Sequence, residues 1–256
     1  MMAGGGLPSG IRREAHDSLP STSSRALALA RAGDPGQIWV TAGEQTEGRG
    51  RRGRGWMTAG GNLAASLLLV DPAEPALAAT VSFVAGVALH QAALDCAGPG
   101  IADRLKLKWP NDLLLDRRKV AGILVEGENL SSGRFAVVVG IGVNCVSHPE
   151  TGATYAAGDF LSAGAPVEAE ALFTALARRM ASELTVWDRG RGFAPIRSAW
   201  LKRAQGLGEP IRVNLADRAL DGRFDSLDAD GRLVLLRTDG VRETVSAGDL
   251  FFAAAG

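Results

Sequence analysis

The longest uncharged run in the chain, Pro75 to Leu94, has the length of a membrane span, and how it is read decides the fold class. Its interior carries Thr80, Ser82, Gly86, His90 and Gln91, polar or small groups that a hydrocarbon layer would leave poorly partnered. The pattern therefore predicts a buried helix over Ala76 to Ala97 in a soluble, cytoplasmic protein. At 256 residues the chain can hold one full-sized domain plus a small one, enough to cover such a helix.

The cover is expected from strands. Gln37 to Thr41 and Asn62 to Val70 read as strands, the second stopped by Asp71-Pro72. Leu105 to Trp109 is a third, broken at Pro110-Asn111-Asp112, because proline cannot continue a central ladder. Leu113 to Leu115, Lys119 to Glu126 and Arg134 to Val143 follow, with Asp116-Arg117-Arg118 as a hairpin turn and Asn129 to Gly133 as another. Ser21-Thr22-Ser23-Ser24 gives a polar cap to a helix over RALALARAG, and further helices are predicted over Val167 to Trp187 and Gly192 to Arg203. Regular βαβ alternation is missing, so the larger part is α+β. From about Leu207 only short strands separated by Asp, Gly and Asn remain, which predicts a small barrel-like module. The expected domains are 1–206 and 207–256. The first dozen or so residues read as loose, and the Gly-rich start, MMAGGGLPSG, lacks the apolar core of a signal peptide.

Twenty-eight basic and 28 acidic residues balance, so no global charge points to nucleic acid or an anionic membrane. Cys96 and Cys145 cannot form a disulfide framework, and His16, His90 and His148 match no zinc or catalytic template. Local features say more. Gly48 to Trp56 reads GRGRRGRGW, without a P-loop or a dinucleotide-binding pattern. Its glycines would admit close backbone approach, and its arginines offer forked donors to phosphate or carboxylate oxygens. Such a segment is expected to be mobile when empty and to close over an anion. A solvated basic loop or an RNA contact would use the same residues, although Trp56 suggests a packed anchor. Lys119 enters the apolar strand KVAGILVE and needs a counter-charge there or an anionic ligand. Gly122, Gly140 and Gly142 thin out neighbouring strands, and Asn144 stands at the end of the last one. Together they outline a glycine-walled pocket with positive charge on one side.

GRGRRGRGW, KWPNDLLL, RKVAGILVE and VVGIGVNC, in that order, resemble the signature blocks of biotin–protein ligases, and the resemblance runs from about Ser21 to the end. It implies a mixed-sheet catalytic domain of the biotin/lipoate ligase type with a C-terminal SH3-like barrel. The implied reaction adenylates biotin with ATP and Mg²⁺, then transfers biotin to a lysine of a biotin carboxyl carrier protein or carboxylase carrier domain. By resemblance, Ser21, Thr22, Ser23, Gln45, Gly48, Arg49, Arg51, Lys119, Gly122 and Gly142 border biotin. Arg51, Arg54, Trp56, Trp109, Asn111, Lys119 and Asn144 serve ATP, with Mg²⁺ held mainly by phosphates. Lys119, Arg51 and Asp112 are the implied catalytic residues, Asp112 as an aid in deprotonating the acceptor lysine. Ser23 replaces the family's usual Asn, and Glu47 stands where small residues are more usual. Only 20 residues precede Ser21, so no DNA-binding domain is expected; a homodimer through a sheet edge is compatible. A lipoate–protein ligase and a nucleic-acid-binding module are the alternatives.

Overall fold

The computed structural model describes residue 7 and residues 10–149, 156–215 and 217–252, so most of the Gly-rich start read as loose lies outside the described residues. The chain opens with β1 (Arg12–Leu19), α1 (Thr22–Arg31), β2 (Ile38–Gln45) and β3 (Leu63–Val70). A short α2 (Pro75–Ala78) leads into α3 (Val81–Ala97). Four strands follow: β4 (Leu105–Lys108), β5 (Asp112–Leu115), β6 (Arg118–Asn129) and β7 (Phe135–Val143). Two helices, α4 (Ala169–Trp187) and α5 (Phe193–Leu201), lead to the C-terminal strands.

Strands β1 to β7 form a mixed sheet in the order β1-β2-β3-β7-β6-β5-β4, parallel only between β1 and β2. Its middle strands are apolar at nearly every position because both faces are covered. Ile38, Val40, Leu68, Ala136 and Val138 pack under Ala26, Leu27 and Ala30 of α1. The alternate residues Trp39, Leu67, Leu69, Val137 and Val139 face the larger core built with α3, α4 and α5.

β1 escapes sequence reasoning. None of its residues is fully buried, and its sequence RREAHDSL does not alternate. Ion pairs hold it instead: Arg12 to Asp34, Arg13 to Glu170 and Glu14 to Arg25. The expected long helix is also interrupted. At the break the Thr80 hydroxyl donates to the Leu77 carbonyl at 2.6 Å and accepts from the Trp187 indole N–H at 2.8 Å. By length and composition Pro75–Ala97 would cross a membrane, yet 72% of its apolar window is buried inside the protein. Its polar residues find partners there on one side each: His90 bonds the Leu105 carbonyl and Gln91 donates to Glu183.

The remaining strands, β8 (Pro210–Asn214), β9 (Ala219–Leu227), β10 (Leu233–Leu236), β11 (Arg242–Val245) and β12 (Asp249–Phe252), make an antiparallel sheet in the order β11-β10-β9-β8-β12. It is not a loose appendage. Ile211, Phe224, Leu227 and Leu250 belong to the same apolar cluster as α3 and α5. The Trp109 indole N–H also donates to the Gly231 carbonyl at 3.1 Å.

Candidate active site

One cavity of about 390 Å³ lies over the ends of β5, β6 and β7, beneath the arginine-rich segment and against the edge of the small sheet. Every residue expected at a ligand from the sequence borders it except Gly48. Gly48 works one layer back, closing the base of a hairpin in which its carbonyl accepts from Trp56 N–H at 2.8 Å. A Cβ there would overlap the Trp56 carbonyl, so only glycine lets the two hairpin arms approach this closely.

The cationic corner depends on a β-bulge. Pairing between β5 and β6 runs Leu113 to Ala121 but Leu114 to Lys119, leaving Val120 as an extra residue. In a regular strand, residues 119 and 122 would point to opposite faces. The bulge re-aims Lys119 so that its Nζ comes within 3.3 Å of where a Gly122 side chain would start. Lys119 Nζ lies 2.6 Å from Asp112 Oδ1, and Lys108 Nζ stands 3.8 Å from Asp112 Oδ2. The counter-charge that Lys119 required is thus Asp112. Burial pulls the Lys108 ammonium down to about 8 even though the Asp112 charge opposes this.

The arginine segment is a short hairpin with Arg51–Gly53 as a 3₁₀ turn at its tip. Each arginine has a partner. Arg49 pairs with Glu126 at 2.9 Å, and Arg51 donates to Asn111 Oδ1 at 3.1 Å. Arg52 and Arg54 both reach Asp249 of the small sheet, at 2.8 and 3.2 Å. Burial lowers the Arg51 pKa, opposed by the charges of Asp112 and Asp249. Asn111 in turn donates to the Ile123 carbonyl, which ties the hairpin to β6.

Below the hairpin, the Trp56 ring lies over the two glycines of β6 and β7. A side chain at Gly122 would start 3.2 Å from the ring, and one at Gly142 would overlap it. Lys119 Nζ is 5.6 Å from the ring centroid. Trp56 therefore sits among the residues expected for biotin. At the opposite end is a neutral polar network. Gln45 Oε1 accepts from Thr22 N–H at 2.9 Å and from the Thr22 hydroxyl at 3.0 Å, while its amide donates to Thr58. Thr22 and Ser23 hydroxyls both meet Ser66 Oγ, at 2.8 and 3.0 Å. Ser21 caps α1 by accepting from Ser24 N–H.

Asn144 and Trp109 are more structural than the sequence suggested. The buried Asn144 amide donates to the Gly158 carbonyl at 2.9 Å, and Trp109 reaches the small sheet through Gly231. Both still border the cavity. Sequence reasoning assigned no site role to Ser66, Lys108 and Asp249. Ser66 is one hydroxyl in an apolar strand, and nothing in GDLFF indicates that Asp249 faces the arginines. Among the described residues, no group of three or more His, Cys, Asp or Glu side chains is placed to hold a metal ion.

Comparison with known proteins agrees with this geometry. Residues 17–144 match the biotin/lipoate A/B protein ligase family, and residues 206–252 match the biotin protein ligase C-terminal domain. The chain is 43% identical to the biotin–[acetyl-CoA-carboxylase] ligase of Paracoccus denitrificans, over 91% of this chain and 97% of that protein. A ligase of the same name from Mycobacterium tuberculosis is 32% identical, over 90% and 85% of the two chains. In fold, the chain is similar to the biotin protein ligase from Aquifex aeolicus in complex with biotin and ATP. There the TM-score is 0.78 at 24% identity, covering 94% of this chain and 99% of that one.

Proposed function

This chain belongs to the biotin protein ligases of the biotin/lipoate A/B family, and from that premise we propose that the cavity beneath the arginine hairpin performs both halves of the reaction. It activates biotin with ATP to biotinyl-5′-AMP and transfers the biotinyl group to a lysine of a carrier protein. The carrier of acetyl-CoA carboxylase is the proposed acceptor and the cytoplasm the proposed location. One observation carries the reading: a neutral hydrogen-bonding network and a cationic corner stand at two ends of a glycine floor covered by an indole. Biotin has matching parts, a neutral ureido head, an apolar body and a carboxylate tail.

In this reading Ser21, Thr22, Ser23 and Gln45 hold the ureido group, with Ser66 fixing the hydroxyls. Gly122 and Gly142 keep the glycine floor free of side chains, and the Trp56 indole now resting on it has to shift aside for the fused rings to lie there. Lys119 binds the carboxylate and keeps it beside the α-phosphorus of ATP. A carboxylate oxygen attacks that phosphorus and pyrophosphate leaves. Lys119, Arg51 and Arg54 offset the negative charge gathering on the transferring oxygens, in a site where fixed donors need no reorganisation. Asn111 holds Arg51 in place, while Trp109 and Asn144 bound the nucleotide side.

The mixed anhydride hydrolyses if water reaches it, so the hairpin of Arg49 and Arg51 also has to shield it. The acceptor ε-amine, with a reference pKa of about 10.4, must lose a proton before it attacks the biotinyl carbonyl and displaces AMP. Asp112, fixed at the end of β5, is the proposed proton acceptor. The cavity carboxylates Asp112 and Asp249 are already paired with lysines and arginines, so the donor set does not fit a protein-built Mg²⁺ cage. Labelled biotin or lipoate incubated with a carrier domain, with and without ATP, tests the reading. ATP-dependent transfer of biotin is expected. Label appearing only with lipoate sinks it.

A further inference from the structure

The arginine hairpin is anchored at two places of different kinds. Arg49 and Arg51 bind the large sheet through Glu126 and Asn111, whereas Arg52 and Arg54 converge on one carboxylate of the small sheet. That carboxylate, Asp249, opens β12, whose partner β8 carries it into the apolar core shared by the two sheets. Asp249 also forms part of the cavity wall, as do its neighbours Gly248, Leu250 and Phe251.

We infer that Asp249 is a positioning residue that latches the arginine hairpin over the cavity, making the small sheet part of the lid. The inference rests on the ligase reading above. Three features support it. The two arginines use separate oxygens of Asp249, Oδ2 and Oδ1, so both ends of the carboxylate are engaged. Arg52 holds a left-handed backbone conformation, φ 56°, which a non-glycine residue adopts only when its surroundings hold it there. Arg52 does not border the cavity, so contact with a ligand there does not explain its place.

A hairpin released from Asp249 keeps its two anchors on the large sheet but loses the one at its tip. Its tip then opens more often, and the adenylate beneath meets water or leaves. Asp249 touches no reacting atom in this scheme. It determines how long the intermediate stays, and it makes retention depend on a residue 195 positions beyond Arg54 in sequence.

The test uses the full-length protein in four forms: wild type, D249N, and the charge exchange R52D/D249R with its R52D parent. The first measurement needs no activity. Amide hydrogen exchange across residues 48–56 of the empty protein reads opening of the hairpin, and D249N and R52D should exchange faster there than wild type. The second preloads each protein with labelled biotin and ATP and follows loss of biotinyl-AMP. Two partly exposed ion pairs give an expected acceleration of about tenfold for D249N. The charge exchange restores only the Arg52 half, because Arg54 then faces a like charge, so both rates should fall between those of R52D and wild type, whereas a merely structural defect at β12 would not be repaired by changing Arg52. Wild-type rates in D249N by both measurements, or a double variant no better than its R52D parent, overturn the latch. Failure of the wild-type chain to form any adenylate overturns the latch and the functional reading together.

Discussion

Lys119 owes its position to one extra residue in its strand. Without the bulge at Val120 its side chain would leave the face that carries Gly122 and would not meet Asp112. The sequence shows that a lysine entering KVAGILVE must be answered, but bulges leave no mark in an apolar run, so its partner was not legible. Ser66 was hidden for a related reason: a small hydroxyl among leucines and alanines looks like core filler until Thr22 and Ser23 are seen against it. K119A should lower biotin-dependent ATP–pyrophosphate exchange by about 10²–10³-fold, the usual cost of removing one preorganised donor from a developing charge. The protein should stay folded, because Lys119 is partly exposed and Asp112 keeps Lys108 beside it. Exchange within a fewfold of wild type would remove Lys119 from the mechanism. R51A acts differently, since Arg51 borders the cavity and also ties the hairpin to Asn111. Biotinyl-AMP should escape from R51A into solution, where chromatography of the filtrate detects it; an unchanged dissociation rate would refute this role.

Elements were legible where burial imposes a pattern and illegible where ion pairs replace it. β3, β6 and β7 are apolar because both sheet faces are covered. β1, held by Arg12, Arg13 and Glu14, offered only a charged stretch. For α3, the polar residues that argued against a membrane span also set its response to acid. Burial holds the His90 pKa down to about 4, opposed by its bond to the Leu105 carbonyl, while the ordinary value is 6.5. As pH falls the unfolded chain takes up this proton first. Stability contributed by neutral His90 is therefore complete above about pH 6.5 and is lost as pH falls towards 4. Between pH 7 and pH 5 the loss from this one group should be about 2 kcal/mol. H90Q keeps an amide donor for Leu105 but has no proton to gain, so its stability should change less over that interval. Denaturant unfolding of both proteins at the two pH values checks this, and parallel losses would show that other groups govern the acid response.

At the scale of the whole molecule, the change of texture near Leu207 announced a second sheet but not how tightly it is joined. Turn-rich short strands read the same whether a module swings freely or is packed, because the contacts that decide this are long-range. The join centres on Gly231, whose carbonyl accepts from the buried Trp109 indole. Gly231 has φ +80°, and a Cβ there would lie 2.5 Å from the Phe83 ring and 3.2 Å from that of Phe193. Phe83 belongs to α3 and Phe193 to α5, so a side chain at residue 231 would push on two helices packed against the large sheet from a turn of the small sheet. G231A combines an unfavourable backbone conformation with overpacking, and about 2–3 kcal/mol of destabilisation is expected. If the shared apolar cluster makes the two sheets one cooperative unit, this loss appears in a single transition. Tryptophan fluorescence reports the fully buried Trp39, Trp109, Trp187 and Trp200 together with the half-buried Trp56, none of them in the small sheet. Far-UV circular dichroism and hydrogen exchange in β8 to β12 report the small sheet. Coincident midpoints, shifted together by G231A, are the expected result. A small sheet that melts earlier than the tryptophan signal would show two units instead, with the arginine hairpin anchored to the weaker of them.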